Sequence, residues 1–234
     1  MRLAVLRAMN AARVARRAGV MVTRLANGGQ RFVEAAEIGA DPLATELESA
    51  LRTGKSALVT IEAVDHFLTV LAPAPRLTLI GAVHISQALA PMARAVGLDV
   101  RIIDPRTAFA TPERFPDTPV IAQWPDEPLK SEPPDRYTAI CLLTHDPKID
   151  DAALRIALKS DCFYIGALGS KKTHAKRLER MRADGFDEAA LARIHAPIGL
   201  DIGAVSPPEI AVAILGEVVS AMRKKPLPSD GPAR

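Results

Sequence analysis

Short apolar segments separated by turn residues predict a small α+β unit at the start of the chain. Apolar residues recur at helical spacing within residues 3–14. Two β-rich runs, residues 20–23 and 31–33, flank Asn27-Gly28-Gly29, which tolerates positive φ and therefore predicts a hairpin. The elements expected to follow are a helix from Asp41-Pro42 to Gly54 and strands at residues 56–61 and 67–71. We place this unit at residues 1–74, because prolines follow the last strand.

From residue 76 onward, strand-like and helix-like segments alternate with short connections, which is typical of a parallel sheet covered by helices. The apolar runs that predict strands lie at residues 77–80, 100–103, 120–121, 139–143 and 162–165. A last helix is expected to begin at Ser206-Pro207-Pro208-Glu209, where serine and glutamate form a capping box. We therefore expect an α/β domain over residues 75–223 and a flexible tail over residues 224–234.

Composition excludes several classes of protein. Of 234 residues, 48% are hydrophobic and 24% are charged, as in globular proteins with a sizeable core. No apolar run reaches the roughly 18 residues of a membrane span, and aromatic residues, at 4%, are too few to stack single-stranded nucleic acid. Cys141 and Cys162 lie in separate apolar segments, which argues against a disulfide scaffold or a zinc site and favours a reducing cytoplasm.

The net charge of +3 is small, but the basic residues are unevenly distributed. Residues 1–31 contain seven arginines and no acidic residue, yet they lack the serines and the cleavable apolar region of a targeting signal. A second group of lysines and arginines lies between Lys171 and Arg182. This group is either a solvated helix face or a surface that attracts an anionic ligand or an acidic partner.

Candidate binding residues lie where the predicted parallel strands end, because ligands of such sheets bind beyond the carboxyl ends of strands, where the strand order reverses. Gly81 occupies the place of the first glycine of a dinucleotide-binding turn, and His84 stands at the start of the next helix. Asp104 follows the second strand, near where an acid would bind a ribose hydroxyl. The turn indicates a Rossmann-like sheet, although Val83 and Ser86 replace the two later glycines.

The peptide Thr144-His145-Asp146 follows a central predicted strand and is expected to border the same crevice as Gly81. His145 can donate a hydrogen bond, accept one or carry charge near neutral pH. Asp146 precedes a proline, so it is either a helix cap or a binding residue. The sequence has no serine in a nucleophile elbow and no cysteine at a strand end, so we predict no catalytic triad.

The segment from Gly166 to Lys172 is the strongest candidate for an anion site, since a helix start stabilises a phosphate. Gly166 and Gly169 let a ligand come close to the backbone, and Ser170 can cap the helix. Lys171 and Lys172 add positive charge. A further loop at residues 197–204, with Gly199 and Asp201, is either a turn that needs positive φ or a segment folded over the same crevice.

Taken in order, these segments resemble the XdhC/CoxI family of accessory proteins for xanthine dehydrogenase and carbon monoxide dehydrogenase. The match covers about residues 76–222 and is carried by six segments: residues 81–84, 104–106, 143–146, 164–171, 197–203 and 208–211. The resemblance implies a Rossmann-like, mostly parallel sheet with helices on both faces, preceded by the small α+β domain. It also implies a protein that binds the molybdenum cofactor, as molybdopterin or its dinucleotide form, protects it, helps present it for sulfuration and delivers it to an apo-enzyme.

On this resemblance the cofactor-binding residues are Gly81, His84, Asp104, Arg106, Thr144, His145, Asp146, Gly166, Gly169, Ser170, Lys171, Lys172, Gly199 and Asp201. It implies no catalytic residue and no metal ligand, so the chain is expected to lack turnover chemistry of its own. Two positions depart from the family pattern: Val83 replaces a glycine, and the N-terminal unit has no cysteine, which leaves no thiolate there to contact molybdenum.

The expected partners are an apo molybdenum hydroxylase of the xanthine dehydrogenase type and a cofactor sulfurase, with no nucleic acid and no membrane. A homodimer is a further expectation, since the apolar helix at residues 210–222 must be covered, although the sheet of the same chain is an alternative cover. Two rival functions stay open: an NAD(P)-dependent oxidoreductase, suggested by Gly81 and Asp104, and a nucleotide- or nucleic-acid-binding regulator, suggested by the basic segments.

Overall fold

The computed structural model describes residues 2–224, and its contacts divide them into two compact units, one ending at Pro73 and one beginning at Ala74. The tail expected at residues 224–234 lies, from residue 225 onward, outside the described residues. The first unit contains α1 (Leu3–Val14), β1 (Gly19–Arg24), β2 (Gly29–Glu34), a 3-10 helix (Ala35–Ala40), α2 (Ala44–Thr53), β3 (Ala57–Ile61) and β4 (Val64–Leu71).

The small unit is an antiparallel sheet in the order β2-β1-β4-β3, with α2 packed against it. The predicted hairpin is confirmed: Thr23 lies opposite Gln30, and Gly28 in the turn has a φ of 67°. Helix α2 begins two residues later than predicted, at Ala44, although the carboxylate of Asp41 accepts from the Leu43 backbone N–H in the manner of a cap and also bonds to Arg31. Val20, Leu47 and Leu68 form the centre of its core.

The second unit contains the α/β fold that the alternating segments predict. Its elements are β5 (Arg76–Ile80), α3 (His84–Ala95), β6 (Asp99–Ile103), β7 (Val120–Ile121), α4 (Asp126–Ser131), β8 (Thr138–Leu142), α5 (Pro147–Leu158), β9 (Tyr164–Ala167), α6 (Lys171–Ala183), α7 (Glu188–Leu191), β10 (Ile194–His195) and α8 (Pro207–Lys224). The sheet order is β10-β9-β8-β5-β6-β7, and every recorded pairing is parallel.

Helices cover both faces of this sheet, as expected, and the two faces are buried in separate cores. Side chains alternate along each strand, so Cys141 points to the core that holds α3 and α8, while Ile140 and Leu142 point to the core that holds α5 and α6. The apolar face of α8, including Ile214 and Val218, is buried in the first of these cores. The chain's own sheet and α3 therefore cover the apolar face of α8. This is the alternative to a homodimer that the sequence left open.

Two differences from the predicted elements bear on the site. Strand β9 begins two residues later than predicted, at Tyr164, and it extends through Gly166 to Ala167. The short elements α4, α7 and β10, of two to six residues, were missed because they show little periodicity, whereas the equally short β7 was predicted from its two apolar residues. Within the described residues, no helix is both long enough and apolar enough to cross a membrane.

Candidate functional site

The strand order reverses between β5 and β8, and the loops that follow these two strands lie side by side. The chain goes from β5 to β6 on one side, whereas β8 and β9 lie on the other side. Backbone hydrogen bonds continue past the strand ends and join neighbouring loops: the N–H of Leu143 donates to the Ile80 carbonyl at 2.9 Å, and the N–H of Leu168 donates to the Leu142 carbonyl at 2.9 Å. This carboxyl edge is where open α/β sheets bind ligands.

Gly81 sits where the β5 and β8 loops touch. It has a φ of 119°, and a Cβ at this position would lie 2.8 Å from Cγ2 of Thr144. Its carbonyl accepts a 2.6 Å hydrogen bond from the buried hydroxyl of Ser86, which fixes the turn into α3. The glycine thus serves the contact between two loops, and His84 stands exposed at the first residue of α3.

The carboxylate of Asp104 is fully buried and fully bonded. Its Oδ1 accepts hydrogen bonds from the backbone N–H and the Nε of Arg106, and its Oδ2 accepts from the Ala82 N–H and from Nη2 of Arg106. Burial alone would raise the pKa of Asp104, but these hydrogen bonds outweigh it and hold the pKa below its usual range. A carboxylate accepts about four hydrogen bonds, so Asp104 has no lone pair left for a ribose hydroxyl, and the oxidoreductase alternative loses its main support.

The β8 loop is held in place by Thr144 and presents His145 in a strained conformation. The Thr144 hydroxyl donates to Oδ1 of Asp150 at 2.7 Å and accepts from the Asp146 N–H at 3.1 Å. His145 is exposed and has a φ of 62°, which is uncommon for a residue with a side chain and is often found where function requires it. Asp146 caps α5 by accepting from the Lys148 N–H, so its predicted capping role is present.

The β9 loop differs from the anion-binding loop that the glycines suggest. Gly166 lies inside strand β9, and a Cβ there would lie 2.5 Å from Ile198 and 2.6 Å from the Tyr164 hydroxyl, so its missing side chain makes room for core packing. Gly169 has a φ of 128° and approaches Thr173. Ser170 caps α6 by accepting from the Thr173 N–H, as predicted.

A cavity of about 200 Å³ opens between α5, α6 and the β8 loop, and we call it the basic cavity. Its charged lining residues are Asp150, Asp151, Lys172, Lys176, Arg177 and Arg180, and His145 borders it from the β8 loop. Of the predicted site residues, the structure therefore brings His145 and Lys172 to one cavity. Lys171 is exposed at the first residue of α6 and does not line it.

Several polar atoms at or beside this cavity are buried without a partner. Within residues 2–224 no group hydrogen-bonds to Oδ2 of Asp150, to Nε and Nη1 of Arg177, or to Nδ1 of His174. Arg177 is 2% exposed, and its Nη2 donates to the Leu168 carbonyl at 2.9 Å. A buried unpaired donor or acceptor costs about 1–3 kcal/mol, so a bound water or ligand that pairs with this cluster of atoms would be stabilised there.

Burial shifts the pKa values of the two ionisable groups that hold most of these atoms. It raises the pKa of Asp150, against the opposing effects of the Thr144 hydroxyl, Arg177 and His145. It lowers the pKa of Arg177, although Asp150 and Asp151 act in the opposite direction. Both groups therefore carry their charge at an energetic cost, which a bound counter-charge would relieve in either group and a proton would relieve in Asp150.

The raised pKa of Asp150 gives a stability prediction. Since the folded-state pKa lies above the unfolded one, the wild-type stability falls as the pH rises through the interval between them and stays low above it. Asn at this position keeps an oxygen that accepts from Thr144 and removes the charge, so Asp150→Asn should raise the free energy of unfolding above neutral pH by about 1 kcal/mol. Urea unfolding at several pH values measures this, with the half-exposed Asp184→Asn as control. A variant less stable than the wild type above neutral pH would contradict the prediction.

The loop after β10 is organised by a partly buried acid that the sequence did not single out. Glu217 on α8 accepts hydrogen bonds from the Tyr164 hydroxyl at 2.6 Å and from the Gly199 N–H at 2.7 Å, and it bonds to Nδ1 of His195 at 2.8 Å. Gly199 has a φ of 96°, so the interpretation as a turn that needs positive φ holds for it. Asp201 is exposed, and neither it nor Gly199 lines the basic cavity.

The sequence missed the acid and the buried arginine of the basic cavity. In the sequence, Asp150 is an acidic residue in the first turn of a helix, where acids are common, so nothing distinguishes it from an exposed acid. Arg177 carried a signal, because it lies four residues before the buried Met181 on the same face of α6. The interpretation of this segment as a solvated face is therefore wrong for Arg177. Arg180, one turn further, is bound to Asp151 on α5.

Neither a metal centre nor a thiol site is present in the part of the chain that the structure describes. It contains no group of three or more His, Cys, Asp and Glu side chains placed to hold a metal ion. Cys141 and Cys162 are both buried and unpaired, and burial raises the pKa of both thiols. Buried thiols of this kind are poor nucleophiles and poor ligands.

Comparison with known proteins gives several relatives. Residues 77–218 match the sequence profile of the XdhC Rossmann domain. The chain is 30% identical over 168 residues to the uncharacterized protein YqeB of Escherichia coli K12, which covers 70% of this chain and 30% of YqeB. It is 29% identical over 164 residues to a probable xanthine dehydrogenase subunit from Bacillus subtilis 168, covering 70% of this chain and 48% of that protein. It is 32% identical over 148 residues to the molybdenum cofactor insertion chaperone PaoD of Escherichia coli K12, covering 63% and 40%.

Among solved structures, a xanthine dehydrogenase from Bacillus halodurans has the same fold, with a TM-score of 0.66, 22% sequence identity, and coverage of 94% of this chain and 64% of that one. The chain matches less than half the length of each of the three curated relatives, from 30% to 48%. The XdhC profile, in contrast, accounts for well over half of the present sequence and for nearly all of its parallel-sheet unit. The chain therefore belongs to the XdhC family.

Proposed function

We propose that this protein is a maturation factor that holds the molybdenum cofactor at the carboxyl edge of its parallel sheet and passes it to a molybdenum hydroxylase of the xanthine dehydrogenase type. Two relatives support this role by name: one is a molybdenum cofactor insertion chaperone, and the other is a probable subunit of xanthine dehydrogenase. The structural observation that carries the proposal is the basic cavity beside the point where the strand order reverses.

The residues of the edge fit a phosphorylated pterin. Molybdopterin carries a phosphate, and its dinucleotide form carries a pyrophosphate. The basic cavity offers unpaired guanidinium N–H groups of Arg177 together with Lys172, which are donors suited to such an anion. His145 borders it from the β8 loop and Ser170 caps α6, and they are the next residues that would hold the cofactor.

The chain's own residues bind and orient the cofactor, and the cofactor supplies the molybdenum centre to the enzyme that receives it. Asp104 acts at a distance: it fixes the Ala82 N–H and Arg106, and so holds the β5 loop to the loop that follows β6. Gly81 and Thr144 form the contact between these loops. In this function the protein has no turnover chemistry, works in the cytoplasm, and has the apo-hydroxylase and a cofactor sulfurase as partners.

The proposal is tested by co-expressing the full chain with the enzymes of cofactor synthesis. Purified wild-type protein should release pterin, detected by fluorescence after oxidation, and should raise the activity of its cognate hydroxylase. His145→Ala and the double variant Lys171→Ala with Lys172→Ala should retain about tenfold less pterin, since each removes a charged or hydrogen-bonding group. Lys130→Ala with Lys159→Ala is the matched control, because both lysines are exposed, Lys130 on α4 and Lys159 just after α5, and neither lines the cavity.

Two results would contradict the proposal. One is a wild-type chain that carries no pterin and leaves the activity of the hydroxylase unchanged. The other is an equal loss of pterin in the control variant, which would mean that only the total positive charge of the protein matters.

A further inference from the structure

The basic cavity is built by two helices that pack on the same face of the sheet. Asp150 and Asp151 come from the first turns of α5, and Lys172, Lys176 and Arg177 come from α6. These helices share one hydrophobic core with β8 and β9, so the walls of the cavity are fixed by buried packing. A site on such rigid elements can hold a small ligand in one orientation.

Arg177 is the buried end of this cavity. Its side chain is 98% removed from solvent, one amino group is anchored on the Leu168 carbonyl, and Nε and Nη1 find no partner in the described chain. Nε and Nη2 of a guanidinium form the side-on fork that binds two oxygens of a carboxylate or phosphate. In Arg177 the Leu168 carbonyl engages Nη2, so Nε and Nη1 each offer a separate N–H donor to a ligand. Arg180, one turn away, shows the contrast, because Asp151 occupies its fork with both carboxylate oxygens.

The charges in the cavity leave a surplus that matches a dianion. Four lining side chains are cationic and two are acidic, and the pair of Arg180 with Asp151 neutralises itself. Lys172, Lys176 and Arg177 then face a single acid, Asp150. With Asp150 ionised the surplus is two positive charges, which favours an anion over a cation as the ligand. When Asp150 is protonated, its unpaired Oδ2 can donate to a ligand oxygen and the surplus is three.

The size of the cavity limits what enters it. At about 200 Å³ it is several times the roughly 30 Å³ of one water molecule but below the roughly 300 Å³ at which pockets for drug-sized ligands begin. It therefore takes one tetrahedral group and not a complete pterin or nucleotide. The remainder of a larger ligand would extend along the exposed side, where Lys172 and Lys176 lie.

We infer that the basic cavity is a binding site for a phosphate monoester dianion, with Arg177 as its buried anchor and Lys172 and Lys176 closing over the ligand from the exposed side. This site lies between α5 and α6, and not in the glycine loop that the sequence suggested for an anion. That its natural occupant is the phosphate of the pterin cofactor rests on the proposed function, whereas the phosphate site itself does not.

The experiment is calorimetric titration of the full chain, in a chloride buffer of constant ionic strength, with inorganic phosphate, ethyl phosphate and methyl sulfate. Phosphate and ethyl phosphate should bind, and methyl sulfate, which has the same shape but a single charge, should bind at least about tenfold more weakly. Lys176→Gln should weaken phosphate binding about tenfold and Arg177→Met by about tenfold to a hundredfold, because they remove a charge and, in Arg177, two donors.

Arg182→Gln is the matched control, since Arg182 lies on the same helix but pairs with Glu188 outside the cavity. Its affinity for phosphate should stay within about twofold of the wild type. Arg177→Met also loses the bond to Leu168, so its fold is checked by the fluorescence of Trp124, the one tryptophan of the chain. Lys176→Gln changes an exposed side chain and keeps the test decisive if Arg177→Met fails to fold. Two results would overturn the site. One is that the wild type does not bind phosphate even at about 10 mM, a concentration far above the dissociation constants of specific sites. The other is that Arg182→Gln weakens phosphate binding as much as Lys176→Gln does.

The source of the phosphate is decided on protein purified from cells that make the molybdenum cofactor, by measuring bound phosphorus and bound pterin. Matching amounts of both, reduced together by Lys176→Gln, identify the phosphate of the cofactor. Phosphorus without pterin supports the site and counts against the proposed function. Pterin retained equally by wild type and Lys176→Gln, with no binding of free phosphate, overturns the site and leaves the proposed function standing.

Discussion

Gly81→Ala should destabilise the parallel-sheet unit by roughly 2–6 kcal/mol, which is a large fraction of the stability of a domain. Two costs add. Alanine at a φ of 119° is strained by about 1–3 kcal/mol, and its Cβ would lie 2.8 Å from Cγ2 of Thr144. Since Thr144 is held by its bond to the buried Asp150, relieving that overlap costs a further 1–3 kcal/mol or so. Urea unfolding followed by the fluorescence of Trp124 measures the effect within this unit.

Two further variants separate the strain from the overlap. Gly97 also has a positive φ, 87°, but a Cβ there would meet nothing within 4 Å, so Gly97→Ala should cost only about 1–2 kcal/mol. Thr144→Ser removes the overlapping methyl group and keeps the hydroxyl that donates to Asp150. In that background Gly81→Ala should cost at least about 1 kcal/mol less than in the wild type. An equal cost in both backgrounds would show that the two loops do not limit each other through this contact.

The architecture was predictable because its signals are local. The hairpin about Gly28 depends on a turn sequence, and the parallel sheet depends on apolar runs that alternate with helical segments. The caps at Asp146 and Ser170 follow from a residue and the position just after it. All of these can be recognised within about ten residues of sequence, which is the range over which periodicity and capping act.

The chemistry of the site was less predictable because it depends on contacts between distant segments. Gly166 looks like a loop glycine until the structure places Ile198 against it, 32 residues further along the chain. Asp104 looks like a free acid until Ala82, 22 residues earlier, donates to it. Arg177 belongs to a run of basic residues that favours a solvated face; its spacing from Met181 was a weak signal against that, and the packing of α6 on α5 shows that it is buried.

The same distant contacts explain why the basic cavity differs from the site first expected. Sequence places positive charge and glycines at the start of α6, where Lys171 and Lys172 meet Ser170. The structure turns Lys172 toward α5 and adds Lys176 and Arg177 from the next turns of the helix. The structure and the sequence therefore agree on an anion as the type of ligand. They differ on the site, which lies between two helices and not at the end of one.

Asp104→Asn should destabilise the same unit by about 2–4 kcal/mol, because an amide nitrogen would face N–H groups that now donate to a carboxylate. Asp99→Asn at the other end of β6 is the matched control: Asp99 is half-exposed and pairs with Arg76, so its cost should stay below about 1 kcal/mol.

The pH dependence of the Asp104→Asn effect tests the cause directly. Hydrogen bonds from Arg106 and Ala82 hold the pKa of Asp104 below its unfolded value despite burial, so the stabilisation is complete above the unfolded pKa and is lost as the pH falls through the folded one. The difference in unfolding free energy between wild type and Asp104→Asn should therefore be constant above about pH 5 and shrink below about pH 4, the usual range for Asp. A difference that does not change with pH, or that equals the effect of Asp99→Asn, would mean that the carboxylate does not hold the β5 loop and is free to bind a ligand instead.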